Sequence, residues 1–124
     1  MNWKIVRLEL AQCRGSSRAS ASKAYLLRVP LDADGRIDAE AIASNPARAT
    51  VARFWASEPD MHGRVERENG HWRLRWLDKA GQLARIPAVP LRLNERVSIE
   101  GPGGNEAFSV ASINDSGRQI LERP

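Results

Sequence analysis

Cysteine is almost absent from this chain: Cys13 stands alone. One thiol forms no internal disulfide and excludes a cysteine-rich zinc site, so it reads as a small, partly buried strand residue. Long apolar runs are also missing. No stretch approaches the roughly 20 residues of a membrane helix. The opening "MNWKIVRLEL" alternates charged and apolar residues, where a signal peptide would show a continuous apolar stretch and a small-residue cleavage site. A cytoplasmic location without membrane contact is therefore the expectation. Lysine is scarce, with 3 Lys beside 16 Arg. With 17 Ala in the same chain, this bias matches GC-rich codon usage, so arginine richness alone does not indicate a function.

The patterns of several enzyme classes are absent too. There is no G-x-S-x-G elbow, no phosphate loop and no dinucleotide glycine pattern; "GPGG" at 101–104 lacks the following Lys and Ser/Thr. His62 and His71 lie nine residues apart, one in a loop and one after a turn, which is not metal-ligand spacing. "LDADGRID" resembles half of a calcium loop. With Gly35 at its sixth position, however, the first and last ligand positions fall on Pro30 and Ala41, which offer no carboxylate. That segment reads as a turn. A Cys13–His pair would have to meet in space to act as a nucleophile and base. The expectation is a non-enzyme with no metal and no cofactor.

The chain's 124 residues suit a single domain over 1–124 that buries roughly two-thirds of its unfolded surface. The net charge is +4, but it is unevenly spread. Residues 1–30 and 61–99 are basic, 31–60 and 100–124 acidic, and no block is a polybasic tail.

Short alternating runs separated by turn signals point to a mostly β fold. The expected architecture is a small antiparallel β-barrel or bent sheet of about six or seven strands with one short helix near 38–45. Val6, Leu8 and Leu10 share one strand face, with Trp3 and Ile5 on the other. "RGSSRASASK" has no apolar periodicity and reads as a flexible loop over about 14–23. A strand follows through "AYLLRVPL". Asp38 is a helix N-cap for "AEAIAS", and Asn45-Pro46 ends that helix. "ATVARFWA" is a further strand. "LARIPAVPLRL" is extended and reads as a connecting segment; its P-x-x-P spacing is too weak to argue a ligand for an SH3 domain. "ERVSIEGPGGNEAFSVASI" is a last hairpin.

The most informative stretch is "RVERENGHWRLRW", 64–76. Asn69-Gly70 is a strong two-residue hairpin signal, expected as a type I′ turn with positive φ at both residues. It sets Glu68 opposite His71, Arg67 opposite Trp72, Glu66 opposite Arg73, Val65 opposite Leu74 and Arg64 opposite Arg75. Trp72, Leu74 and Trp76 then share one face. Arg73, Arg75 and Arg64 share the other with Glu66 and Glu68. Opposite charges across a ladder need no ligand, whereas a single-strand nucleic-acid platform needs aromatics and cations on one exposed face.

"WKIVRLEL", "AYLLRVPLDADGRID", "ATVARFW", "EPD" and the closing hairpin resemble a family of short bacterial proteins of unknown function. The resemblance covers most of the chain. It implies one compact domain and carries no functional residues to transfer.

The expected function is a small β-barrel binding module for a macromolecule or small ligand, as a monomer or weak homodimer. Phe54, Trp55, Trp72 and Trp76 exceed what one small core obviously holds, so aromatics exposed together would mark the interaction face. The second reading is a nucleic-acid-binding barrel using the basic N-terminal loop. The candidate binding surface across these readings is Arg14, Arg18, Lys23, Trp55, Arg73 and Arg75.

Overall fold

The computed structural model describes residues 3–11, 19–56, 58–77, 83–101 and 104–115. Eight antiparallel strands run in sequence order: β1 (Trp3–Ala11), β2 (Ala19–Pro30), β3 (Thr50–Trp55), β4 (Met61–Glu68), β5 (His71–Trp76), β6 (Leu83–Pro87), β7 (Arg96–Gly101) and β8 (Gly104–Asp115). β1 also pairs with β8, which closes the barrel. The strand count exceeds the six or seven expected. The additional strand is β6, at the start of the segment read as a connection. Pro87 sits at its last position, where a missing N–H costs the ladder least. β6 and β7 share one ladder pair, Arg85 with Glu100.

β1 is the closing strand, and its pairing is irregular on both sides. Its register shifts against β8 between Arg7 and Leu8, and against β2 between Glu9 and Leu10. Glu9 pairs with Ala24 and Leu10 with Ser20, so residues 21–23 of β2 stand opposite no β1 residue. Such irregularities bend a strand and increase its twist, which a barrel of this size requires. They also correct the expected loop: Ala19–Lys23 belong to β2. Cys13, Arg14 and Arg18 lie outside the described residues.

The 64–76 hairpin has the five predicted residue pairs. Its turn differs from type I′, because only Gly70 has positive φ (71°) while Asn69 does not. A two-residue loop suffices for the register.

Strand alternation fills the barrel. Val6, Leu8, Leu27, Val29, Leu74, Ile86, Ile99, Phe108 and Val110 are essentially inaccessible. Trp72 and Trp76 join them from β5. One end of the barrel is closed by residues 31–49 and 88–95. There Asp38 accepts from the Glu40 and Ala41 N–H groups and starts a short helix, α1 (Ala39–Ser44). Asp32 Oδ1 accepts from the Asp34 and Arg36 N–H groups (2.8 and 3.0 Å), so this aspartate of the apparent calcium loop closes a turn. Leu91 N–H donates to the Gly35 carbonyl (2.8 Å) and ties the two closing segments together.

Gly63 marks the tightest strand contact. A Cβ there would lie 2.3 Å from the Arg75 carbonyl oxygen, and its nearest neighbours are all β5 backbone atoms. Gly63→Ala should therefore cost about 1–3 kcal/mol, the usual range for overpacking. The urea unfolding midpoint reads this directly. An unchanged midpoint would show that β4 can draw away from β5 freely.

Candidate functional site

Barrel closure gives every strand residue an inner or an outer face. Three side-chain groupings stand out: a charge lattice on one stretch of the outer wall, a groove on the adjoining stretch, which meets the lattice where Arg64 pairs with Arg75, and a cluster at the barrel mouth remote from α1.

The lattice lies across β4 to β7. Arg75 Nε donates to Glu66 Oε2 (2.7 Å) and Arg73 Nη2 to Glu66 Oε1 (3.0 Å). Arg85 Nε donates to Glu68 Oε1 (2.9 Å), and Arg85 Nη1 lies 3.7 Å from Glu100 Oε1. Three arginines thus face three glutamates. Burial pushes the Glu66 carboxyl up, but the hydrogen bonds and charges of Arg75 and Arg73 outweigh it and hold the pKa below its ordinary value. Its stabilising contribution is therefore present at neutral pH and is lost on acidification through that lowered pKa. Arg73 and Arg75 are brought together by the fold, but as partners of glutamate.

The groove runs over the outer faces of β1 to β4. It has a volume of about 490 Å³, and Ile5, Leu26, Ala52, Phe54 and Leu77 form its apolar lining. Arg28, Arg64 and His62 also line it, and among the described residues no carboxylate does. Register explains the grouping: Ile5 pairs with Arg28, Leu26 with Ala52, Thr50 with Arg64 and Ala52 with His62. Neither Arg28 nor Arg64 has an ion-pair partner among the described residues. Leu77 is 54% exposed, among the most exposed large apolar side chains.

The mouth joins Lys23, Tyr25, Arg53, Trp55, Glu58 and Glu106. Arg53 continues the inner face of Val51 and is only 7% exposed. Its guanidinium carbon lies 3.8 Å from the Trp55 ring centre, and Lys23 Nζ lies 4.4 Å from it. Each cation also holds a carboxylate: Arg53 Nη2 bonds Glu58 Oε1 (2.6 Å) and Lys23 Nζ bonds Glu106 Oε2 (3.0 Å). The second bond crosses β1, which lies between β2 and β8. The register shift at Glu9/Leu10, which leaves Lys23 opposite no β1 residue, accompanies this crossing. Arg53 Nε and Trp55 Nε1 are buried without a hydrogen-bond partner. A buried donor left unpaired costs about 1–3 kcal/mol.

Of the residues singled out by sequence, Lys23 and Trp55 meet at the mouth, and Arg73 and Arg75 lie on the lattice. Sequence reasoning missed Arg53, because an arginine between Ala52 and Phe54 gives no sign of facing inward. It also missed Arg28 and Arg64 as groove residues, since only the strand order places them beside Ile5 and Phe54. Among the described residues, no group of three or more His, Asp or Glu side chains could hold a metal ion. No helix is long and apolar enough to cross a membrane.

Tyr25 forms the mouth's inner boundary. It stacks on Trp76 (centroids 6.2 Å, planes at 20°) and meets Phe108 edge-on (5.1 Å). Burial pushes its hydroxyl from 10.0 up to about 12; Arg53 pulls it down and Glu106 adds to the rise. The fold thus favours the neutral phenol, and this contribution is complete below pH 10 and lost as pH rises toward about 12. Because the chain has a single tyrosine, an ultraviolet titration isolates it. Phenolate absorbance should appear only near pH 12, together with unfolding. Titration near pH 10 in the folded protein would contradict this placement.

No protein-family model matches the sequence, and neither a curated protein nor a solved structure is similar to it.

Proposed function

We propose that this protein is a non-enzymatic binding module whose outer-wall groove holds a protein segment bearing apolar and acidic side chains. One observation carries the reading: among the described residues Arg28 and Arg64 have no carboxylate partner, and they line an outward apolar surface. The outer wall of a barrel facing only water would be expected to carry polar residues at these positions. Here Ile5, Leu26, Ala52 and Phe54 occupy them.

The magnitudes suit a transient contact. Each Leu- or Phe-sized side chain that the groove fully covers yields about 1.5–3 kcal/mol. Association itself costs about 4–15 kcal/mol. Apolar contact alone therefore gives weak binding at best, and the arginines supply the remaining selectivity and faster encounter through charge. An aliphatic surface with one phenylalanine favours a protein segment over single-stranded nucleic acid, which needs a series of stacking rings.

The test is a titration of the isotope-labelled protein with a short synthetic peptide alternating Leu or Phe with Glu, followed by backbone NMR. Shifts should concentrate at Ile5, Leu26, Ala52, Phe54 and Leu77, and a peptide with Lys in place of Glu should bind far more weakly. Shifts absent from these residues would overturn the proposal. So would labelled single-stranded RNA shifting the same residues with a steep salt dependence, which would assign the groove to nucleic acid.

A further inference from the structure

The mouth is chemically separate from the groove, because it lies on the inner face of the strands whose outer face forms the groove. We infer that the barrel mouth is a second binding site, for a small organic monocarboxylate, with Arg53 and Trp55 as its donors and Glu58 as an internal stand-in for the ligand's carboxylate.

The argument begins with polarity. Arg53 occupies an inward position that alternation otherwise assigns to Val51 and Met61, and it is more than nine-tenths buried. It has a buried Nε–H, and its neighbour Trp55 a buried indole N–H, that no protein acceptor uses. The guanidinium is 3.8 Å from the centre of the indole ring, so both donors belong to one small region. A carboxylate has two acceptor oxygens and can serve two N–H donors at once.

The charge balance sets the ligand's size and charge. Lys23 and Arg53 are already matched by Glu106 and Glu58. A dianion such as phosphate would leave the mouth strongly negative. A monocarboxylate can instead replace Glu58, whose side chain is 49% exposed and lies just beyond β3, five residues from Arg53. Glu58 then moves into water and the guanidinium keeps one carboxylate partner. Tyr25, Trp76 and Phe108 pack beneath the mouth. They fill the interior, so the ligand sits at the barrel end, in the place that the Glu58 side chain vacates.

The probe is benzoate, with benzyl alcohol as the control that keeps the ring and lacks the carboxylate. The full chain is titrated while the indole N–H resonances are followed by NMR. Benzoate should move the Trp55 indole resonance saturably, and benzyl alcohol should not. Trp55→Phe keeps an aromatic ring and removes the N–H; followed through the Arg53 backbone amide, benzoate binding should weaken about tenfold, the effect of roughly 1.4 kcal/mol. Glu58→Gln should tighten it several-fold, because the competing carboxylate is gone. A purely structural role for these residues predicts no tightening. Arg96→Glu, at the start of β7 and remote from both the mouth and the groove, should leave benzoate binding unchanged, and the Trp55 resonance as readout separates failure here from failure of the groove proposal. The inference is overturned if the Trp55 resonance does not move saturably, if benzyl alcohol moves it equally, or if Glu58→Gln weakens binding.

Discussion

Closure of the sheet through β1 is the constraint on which everything else depends. β1 pairs with β2 on one side and β8 on the other. A closed barrel gives each strand two neighbours, and among the described residues the thinnest pairing is between β6 and β7, which share one ladder pair. Recognition through side-chain surfaces or the barrel ends leaves this closure intact. Closure also forces a strict sorting of residues, inward or outward, at every strand position. The cost is local irregularity: β1 shifts register on both sides. The shift near Glu9 is also where Lys23 crosses toward Glu106, so the same bending that closes the barrel shapes its mouth.

The outer wall divides into two electrostatic regimes. On β4 to β7, arginines and glutamates neutralise one another at 2.7–3.0 Å, with longer pairs at 3.7 and 3.8 Å. Exposed pairs of this kind contribute about 0–1 kcal/mol each, so their main effect is to leave that wall without a net field. On β1 to β4 no carboxylate among the described residues lines the groove, and Arg28 and Arg64 stand beside Ile5, Leu26 and Phe54. A partner with carboxylates is attracted to one wall and gains nothing from the other. Arginine richness alone does not identify a functional surface; the pairing of each arginine does.

How much of this was legible in the sequence depended on the range of the interactions. The 64–76 hairpin register followed from two turn residues, and the α1 cap from Asp38, because both are local. A small barrel or bent sheet followed from repeated alternation. Which of the two it is did not, since the closing β1–β8 pairing joins residues about a hundred positions apart. β6 was read as a connection because its prolines suggested one, although Pro87 only ends it. The faces of β3 were the least legible. "TVARFW" turns Val51 and Arg53 inward and Ala52 and Phe54 outward, the reverse of what charge and hydrophobicity suggest for Arg53 and Phe54. That inversion contributes to both the groove and the mouth, and both were invisible until β3 had its neighbours.

The most direct test of this account compares charge reversals on the two walls. Binding of the Leu/Glu peptide and thermal stability are measured for Arg28→Glu with Arg64→Glu, and separately for Arg73→Glu with Arg85→Glu, which lie away from the groove. The account predicts that the groove pair abolishes peptide binding with little change in melting temperature. The lattice pair should lower the melting temperature, because each new glutamate meets Glu66 or Glu68, and leave peptide affinity within about twofold, less than 0.5 kcal/mol. The reverse pattern, with binding lost from the lattice and kept by the groove, would contradict it.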